Sequence, residues 1–145
     1  MIRFAVPSDL PAMVALLVGA GMRTEDLLAE RTRYWVAEEG GAVVGSLGLE
    51  LGSESALLRS VGVVPAFRSR GIGKQLTETG LGWARARRYQ RVYCFSTVAG
   101  SYWIARGFRE CPVTEVAREL PEAPQVALFR ALGRLPSEIA FRMDL

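Results

Sequence analysis

The chain has 145 residues, half of them hydrophobic and 23% charged, which is the composition of an ordinary globular protein able to bury a core without staples. Its 18 basic and 15 acidic residues give a net charge of +3, and histidine is absent. That absence excludes Ser-His-Asp and Cys-His nucleophilic arrangements and the common histidine-based metal sites.

The elements follow in chain order. Residues 2–6 read as a strand. Ser8 is expected to cap a helix in which Leu10, Met13, Val14, Leu17 and Val18 recur at helical spacing until Gly19 and Gly21. Thr24-Glu25-Asp26 opens a short second helix to residue 31. A strand over 34–37, a turn at Glu39-Gly40-Gly41 and a strand over 42–51 make a hairpin. Residues 56–64 form another strand, ended by Pro65. Residues 71–88 form a helix with Ile72, Leu76, Trp83 and Ala84 inward, weakened at Gly80 and Gly82 by about 1 kcal/mol each. A strand over 91–97 and a short helix over 99–106, stopped by Gly107, come next. Pro112, Pro121 and Pro124 punctuate a helical stretch to 132, and 138–143 is the last strand.

No repeat or linker interrupts this order, so residues 1–145 are expected to form a single mixed α/β layer structure. The longest apolar stretch, 10–22, is too short for a bilayer, and MIRFAVPSD lacks the pattern of a secretory signal. A cytoplasmic protein without membrane contact is expected. Cys94 and Cys111 are outside any CxxC pair and read as buried small hydrophobes in a reducing compartment.

Charge is uneven. Between Arg59 and Arg91 lie eight basic residues and one acid, Glu78, so that segment is +7 and the remainder −4. A local basic block on a near-neutral body suggests a specific anionic ligand more than general nucleic-acid binding. For Arg85, Arg87 and Arg88 the simpler account is that they complement the dipole at a helix C-terminus.

The block surrounds a strand–loop–helix. The apolar LLRSVGV strand runs through Val61, Gly62 and Val63 into Pro65, then Arg68-Ser69-Arg70-Gly71-Ile72-Gly73-Lys74 opens a helix. A helix start offers unpaired N–H groups and partial positive charge, glycines let backbone approach an anion, and Arg68, Arg70 and Lys74 add full charges, so a pyrophosphate fits. A Walker A loop fails because Gln75 follows Lys74, and a dinucleotide GxGxxG fails because Leu76 stands in the third glycine position. The pattern [QR]xxGx[GA] after a V-x-P strand end is satisfied in full by residues 68–73.

On these residues the chain resembles the GNAT (Gcn5-related) N-acetyltransferase family. The resemblance extends to the opening IRFAVPSDLPAMVALL and to SYWIARGF, which looks like the family's helix–Gly–Phe element. It implies an α/β fold with a mostly antiparallel central sheet, a splayed parallel strand pair and flanking helices. It also implies acetyl-CoA as cosubstrate and no metal. Val61, Gly62 and Val63 would pair with the pantetheine arm, and Arg68, Ser69, Arg70, Gly71, Ile72, Gly73 and Lys74 would cradle the pyrophosphate. Closer similarity to N-acetylglutamate synthase and to arsenic-resistance-associated acetyltransferases, in LLRSVGVVP and CFSTVAGSYWIARGF, implies a small amino acid or analogue as acceptor. A polyamine, drug amine or protein N-terminus stands as alternative, as do a non-catalytic acyl-CoA-binding relative and a nucleic-acid-binding domain. Homodimerisation is frequent in the family.

Each candidate residue has two readings. Arg59, in an apolar strand, would hold a substrate carboxylate or else make a structural ion pair or sit on an exposed strand face. Glu50 would take the amine's proton, through water, or is a solvated strand-end carboxylate. Thr97, with Ser96, would offer a hydroxyl at the cleft mouth or is an ordinary strand residue. Trp103 stands where many relatives have a tyrosine acid, and Tyr102 points elsewhere on a helix. Cys94 as a nucleophile is disfavoured, because direct transfer needs no acyl-enzyme.

Overall fold

The computed structural model describes all residues 1–145. Its strands form a seven-stranded sheet in the order β1-β2-β3-β4-β5-β7-β6, mostly antiparallel with one parallel pair, and no helix is long and apolar enough to cross a membrane. The chain divides into two units, residues 1–49 with 59–82 and residues 50–58 with 83–145.

In the first unit, β1 (Ile2–Phe4) pairs antiparallel with β2 (Thr32–Glu39), Ile2 opposite Ala37 and Phe4 opposite Trp35. Tyr34, Trp35, Val36 and Ala37 are all buried, so β2 is covered on both faces and reads as a continuous apolar run. Gly40 and Gly41 take φ of 58° and 80°, the two positive values a two-residue hairpin turn requires, and lead into β3 (Ala42–Leu51). α1 (Leu10–Gly19) buries Met13, Leu16 and Leu17.

Ser8 does not cap this helix. Residues Pro7–Asp9 make a single 3₁₀ turn, and the Asp9 carboxylate accepts the Val6 N–H at 2.7 Å and both Arg3 Nη groups at 2.9 Å. A paired arginine on β1 makes the carboxylate the better anchor. The helix expected after Thr24 is also absent. Asp26, Leu28 and Arg31 are left-handed, with φ of 62°, 59° and 57°, which a right-handed helix cannot contain. The turns instead bring Leu27 and Leu28 against the Met13, Tyr34 and Val36 cluster.

β4 (Ser55–Val63) and α2 (Ile72–Ala86) carry the basic segment. Gly80, expected to weaken α2, is needed by its packing: a Cβ there would lie 2.8 Å from Leu47 Cδ2. α2 ends in a Schellman cap, with Tyr89 N–H donating to Ala84 C=O and Arg88 N–H to Arg85 C=O, both at 3.0 Å. Arg88 holds the left-handed cap position at φ 65°, and the Tyr89 ring stacks on Trp83 at 6.1 Å.

In the second unit, β5 (Arg91–Phe95) runs parallel to the start of β4, from Ser55 opposite Arg91 to Leu58 opposite Cys94. β7 (Ala140–Asp144) lies antiparallel to β5, and β6 (Arg109–Cys111) to β7. β6 was not expected, because three residues with two of them exposed carry no readable alternation. α3 (Gly100–Ala105) ends at Gly107, φ 98°. The helical stretch expected to 132 is two helices, α4 (Val113–Glu119) and α5 (Pro124–Ala131), the second started by Pro124. Leu57, Tyr93, Val116, Leu120, Val126 and Ala140 form this unit's core. Inside it the Tyr93 hydroxyl donates to Glu115 Oε2 at 2.6 Å, and Arg142 Nη1 reaches the same oxygen at 2.7 Å.

Candidate functional site

The first unit presents the strand–loop–helix in full. Within β4, Ser60 is left-handed, with φ 59°, and its carbonyl accepts the Ser46 hydroxyl at 2.7 Å. Val61, Gly62 and Val63 follow, with Gly62 buried and the valines half-buried. After the 3₁₀ turn Pro65–Phe67, Arg68 Nε donates to Val63 C=O at 2.9 Å, which ties the loop back onto the strand. Ser69 and Gly71 are left-handed, at φ 64° and 79°. For serine that conformation costs roughly 1–2 kcal/mol, and turns of this kind let successive N–H groups face one concavity.

The first helical bond runs from Gln75 N–H to Gly71 C=O at 3.0 Å. The N–H groups of Ile72, Gly73 and Lys74 therefore have no carbonyl one turn back. A Cβ on Gly71 would meet nothing within 4 Å, so the space beside it is open. The Arg70 guanidinium sits 4.8 Å from the Phe67 ring centre, and exposed Lys74 is 4.0 Å from Glu78. Three helix-start amides, the exposed cations of Arg70 and Lys74 and the Nη groups of Arg68 form a donor set that fits a diphosphate.

Arg59 is 5% exposed, with Nε donating to Ser60 Oγ at 3.0 Å, so it is not on an exposed strand face. The remaining candidates belong to the second unit. Glu50 is fully buried near the end of β3, and its Oε1 accepts the Gln125 N–H at 2.9 Å. It is thus no solvated carboxylate; its side chain meets the N-terminal turn of α5. Gln125 could not have been found from sequence, because it acts through its backbone.

β5 ends at Phe95, which leaves Thr97 exposed in a loop rather than in a strand. The Ser96 hydroxyl accepts the Ala99 N–H at 2.9 Å. Trp103 is buried, edge-on to Phe108 at 5.4 Å, so its place in the helix–Gly–Phe element is structural. Burial pushes the Cys94 thiol far above its ordinary range and Cys111 up to about 11. Neither thiol supplies a thiolate near neutral pH.

Residues 10–108 match the family described as Acetyltransferase (GNAT) family. The amino-acid acetyltransferase of Mycobacterium tuberculosis is 33% identical over 130 residues, covering 83% of this chain and 74% of that protein. The crystal structure of Rv2747 from Mycobacterium tuberculosis in complex with CoA and NLQ superposes with a TM-score of 0.77 at 24% identity, over 100% of this chain and 99% of that one. N-acetylglutamate synthase from Neisseria gonorrhoeae, complexed with coenzyme A and N-acetyl-glutamate, gives 0.80 at 24% identity over 100% of this chain and 35% of that one. The matched regions span from 33% to 74% of the length of curated relatives.

Proposed function

Because the chain belongs to the acetyltransferase (GNAT) family, we propose that it transfers the acetyl group of acetyl-CoA to the amino group of a free amino acid or amino-acid analogue. The observation that carries this reading is the turn at Ser69 and Gly71 leading into the unpaired amides of Ile72, Gly73 and Lys74. The likeness to the Mycobacterium amino-acid acetyltransferase supports the acceptor class.

Acetyl-CoA supplies an activated thioester, and the chain's part is to bind, orient and manage protons. The amides at the start of α2, with Arg70 and Lys74, hold the diphosphate. Arg68 braces the loop through its Nε bond to the Val63 carbonyl and lends its charge. Val61, Gly62 and Val63, following the left-handed Ser60, offer backbone groups to the pantetheine arm. Arg59 holds the acceptor's carboxylate, and Thr97 lends a hydroxyl from its loop.

Glu50 takes the amine's proton. The Gln125 N–H gives its carboxyl a fixed hydrogen-bond donor. Glu50→Gln separates a base from an anchor of α5. Loss of a base lowers kcat about 10²–10⁴-fold and removes the acidic limb of the pH–rate profile. Loss of an anchor lowers Tm and leaves that limb in place.

The direct test is CoA release from acetyl-CoA across a panel of amino acids, polyamines and peptides. Acidic or amide amino acids should be acetylated, and Arg59→Lys should raise their KM about tenfold or more. If acetyl-CoA binds and no amine in the panel is acetylated, the enzyme reading falls. An unchanged KM sinks the role of Arg59.

A further inference from the structure

Cofactor binding at the start of α2 leaves the basic residues at its other end unused. Arg85, Arg88 and Tyr89 there, with Arg91 on β5 and Arg142 and Asp144 on β7, line a cleft of about 550 Å³. That volume is in the range that holds small ligands. Four guanidinium groups line it, together with the Asp144 carboxylate, Gln90 and the last residue, Leu145.

Two of the four are held from behind. Arg91 lies 3.5 Å from Glu119 and 3.7 Å from Asp144, and Arg142 bonds Glu115 and Asp144 at 2.7 Å each. Arg85 and Arg88 are exposed and make no ion pair. The carbonyl end of α2 is negative, which accounts for cations on the helix. It does not account for Arg91 and Arg142 reaching the same cleft from two strands.

Arg88 is the telling residue. It occupies the left-handed cap position, φ 65°, where glycine is the usual choice and an arginine is strained. The cap's hydrogen bonds come from backbone alone and do not require this side chain. Tyr89, stacked on Trp83, forms a fixed wall beside it.

We propose that this cleft binds a small phosphate-bearing ligand at a second site, apart from the start of α2. Guanidinium forks match phosphate oxygens two at a time, and a dianion draws two exposed arginines where a single carboxylate gains little in water. Two exposed arginines close together suit a small molecule more than a nucleic-acid backbone, which needs a continuous basic track.

Inorganic pyrophosphate, titrated calorimetrically into the full chain with and without saturating CoA, tests this. Pyrophosphate should still bind when CoA is present. Arg88→Gly should weaken that binding roughly tenfold or more while CoA affinity holds and Tm stays equal or rises. Arg85→Ala provides a second reading of the same cleft. Pyrophosphate binding that CoA abolishes, or that both substitutions leave untouched, assigns the anion elsewhere and overturns the proposal. Duplex DNA bound with steep salt dependence through Arg85 and Arg88, with no pyrophosphate binding, overturns it also. Failure of CoA to bind at all bears on acetyl transfer, whereas the effect of Arg88→Gly on pyrophosphate is read independently.

Discussion

Three donors converge on Asp9: the Val6 amide and the two Nη groups of Arg3, which also reaches Glu38 at 3.1 Å. The arginine's hydrogen bonds hold the Asp9 carboxyl below the usual carboxylate range. Removing the carboxylate takes the acceptor from the Val6 amide and the two-oxygen partner from Arg3. Asp9→Ala should therefore destabilise the fold by about 2 kcal/mol, read as a shift in urea midpoint with an unchanged slope. Arg88 gives the opposite case. Replacing it by glycine relieves a left-handed residue worth about 1 kcal/mol, partly offset by loss of a favourable charge at the helix end. A variant that gains stability while losing a ligand is the expected signature of a residue kept for binding.

Gly80 works at the scale of the element. A methyl group there would overlap Leu47 Cδ2 at 2.8 Å, so α2 sits on its sheet only because position 80 is bare. Gly80→Ala gains helix propensity of about 1 kcal/mol but overpacks a buried contact at roughly 1–3 kcal/mol. Net destabilisation is expected by thermal denaturation, whereas Gly82→Ala, with nothing within 4 Å, should stabilise. From sequence alone both glycines looked like equal defects. Strands β2 to β5, α2 and the turn at Gly40-Gly41 were legible because periodicity and paired glycines are local signals. The left-handed turns at Asp26 and Leu28 were not, since they are chosen by what Leu27 and Leu28 pack against. The phosphate-binding loop was legible through its glycines and charges. The setting of Glu50 was hidden, because its partner is a backbone amide 75 residues away in sequence.

Across the whole molecule, ionisable groups set a pH window. Asp9, Glu25, Glu115 and Asp144 are all lowered in the fold, each chiefly by a side-chain hydrogen bond: from Arg3, Arg23, Tyr93 and Arg142 respectively. A lowered carboxyl contributes stability above its unfolded value, near 4, and loses it as pH falls through the folded value. Tyr93, Cys94 and Cys111 are raised, chiefly by burial, so their contribution is lost as pH climbs past about 9. With no histidine to titrate between, Tm should be flat from about pH 5 to 8 and fall on both sides. Differential scanning calorimetry across that range checks it, and a step near pH 6.5 would contradict it. The same burial that silences the two thiols gives the molecule a built-in reporter. A thiol-reactive dye added to the folded chain sees only CoA as it is released, since Cys94 is 1% and Cys111 8% exposed. On denaturation both cysteines become reactive, so one reagent counts turnovers in the native protein and unfolding events in a stressed one.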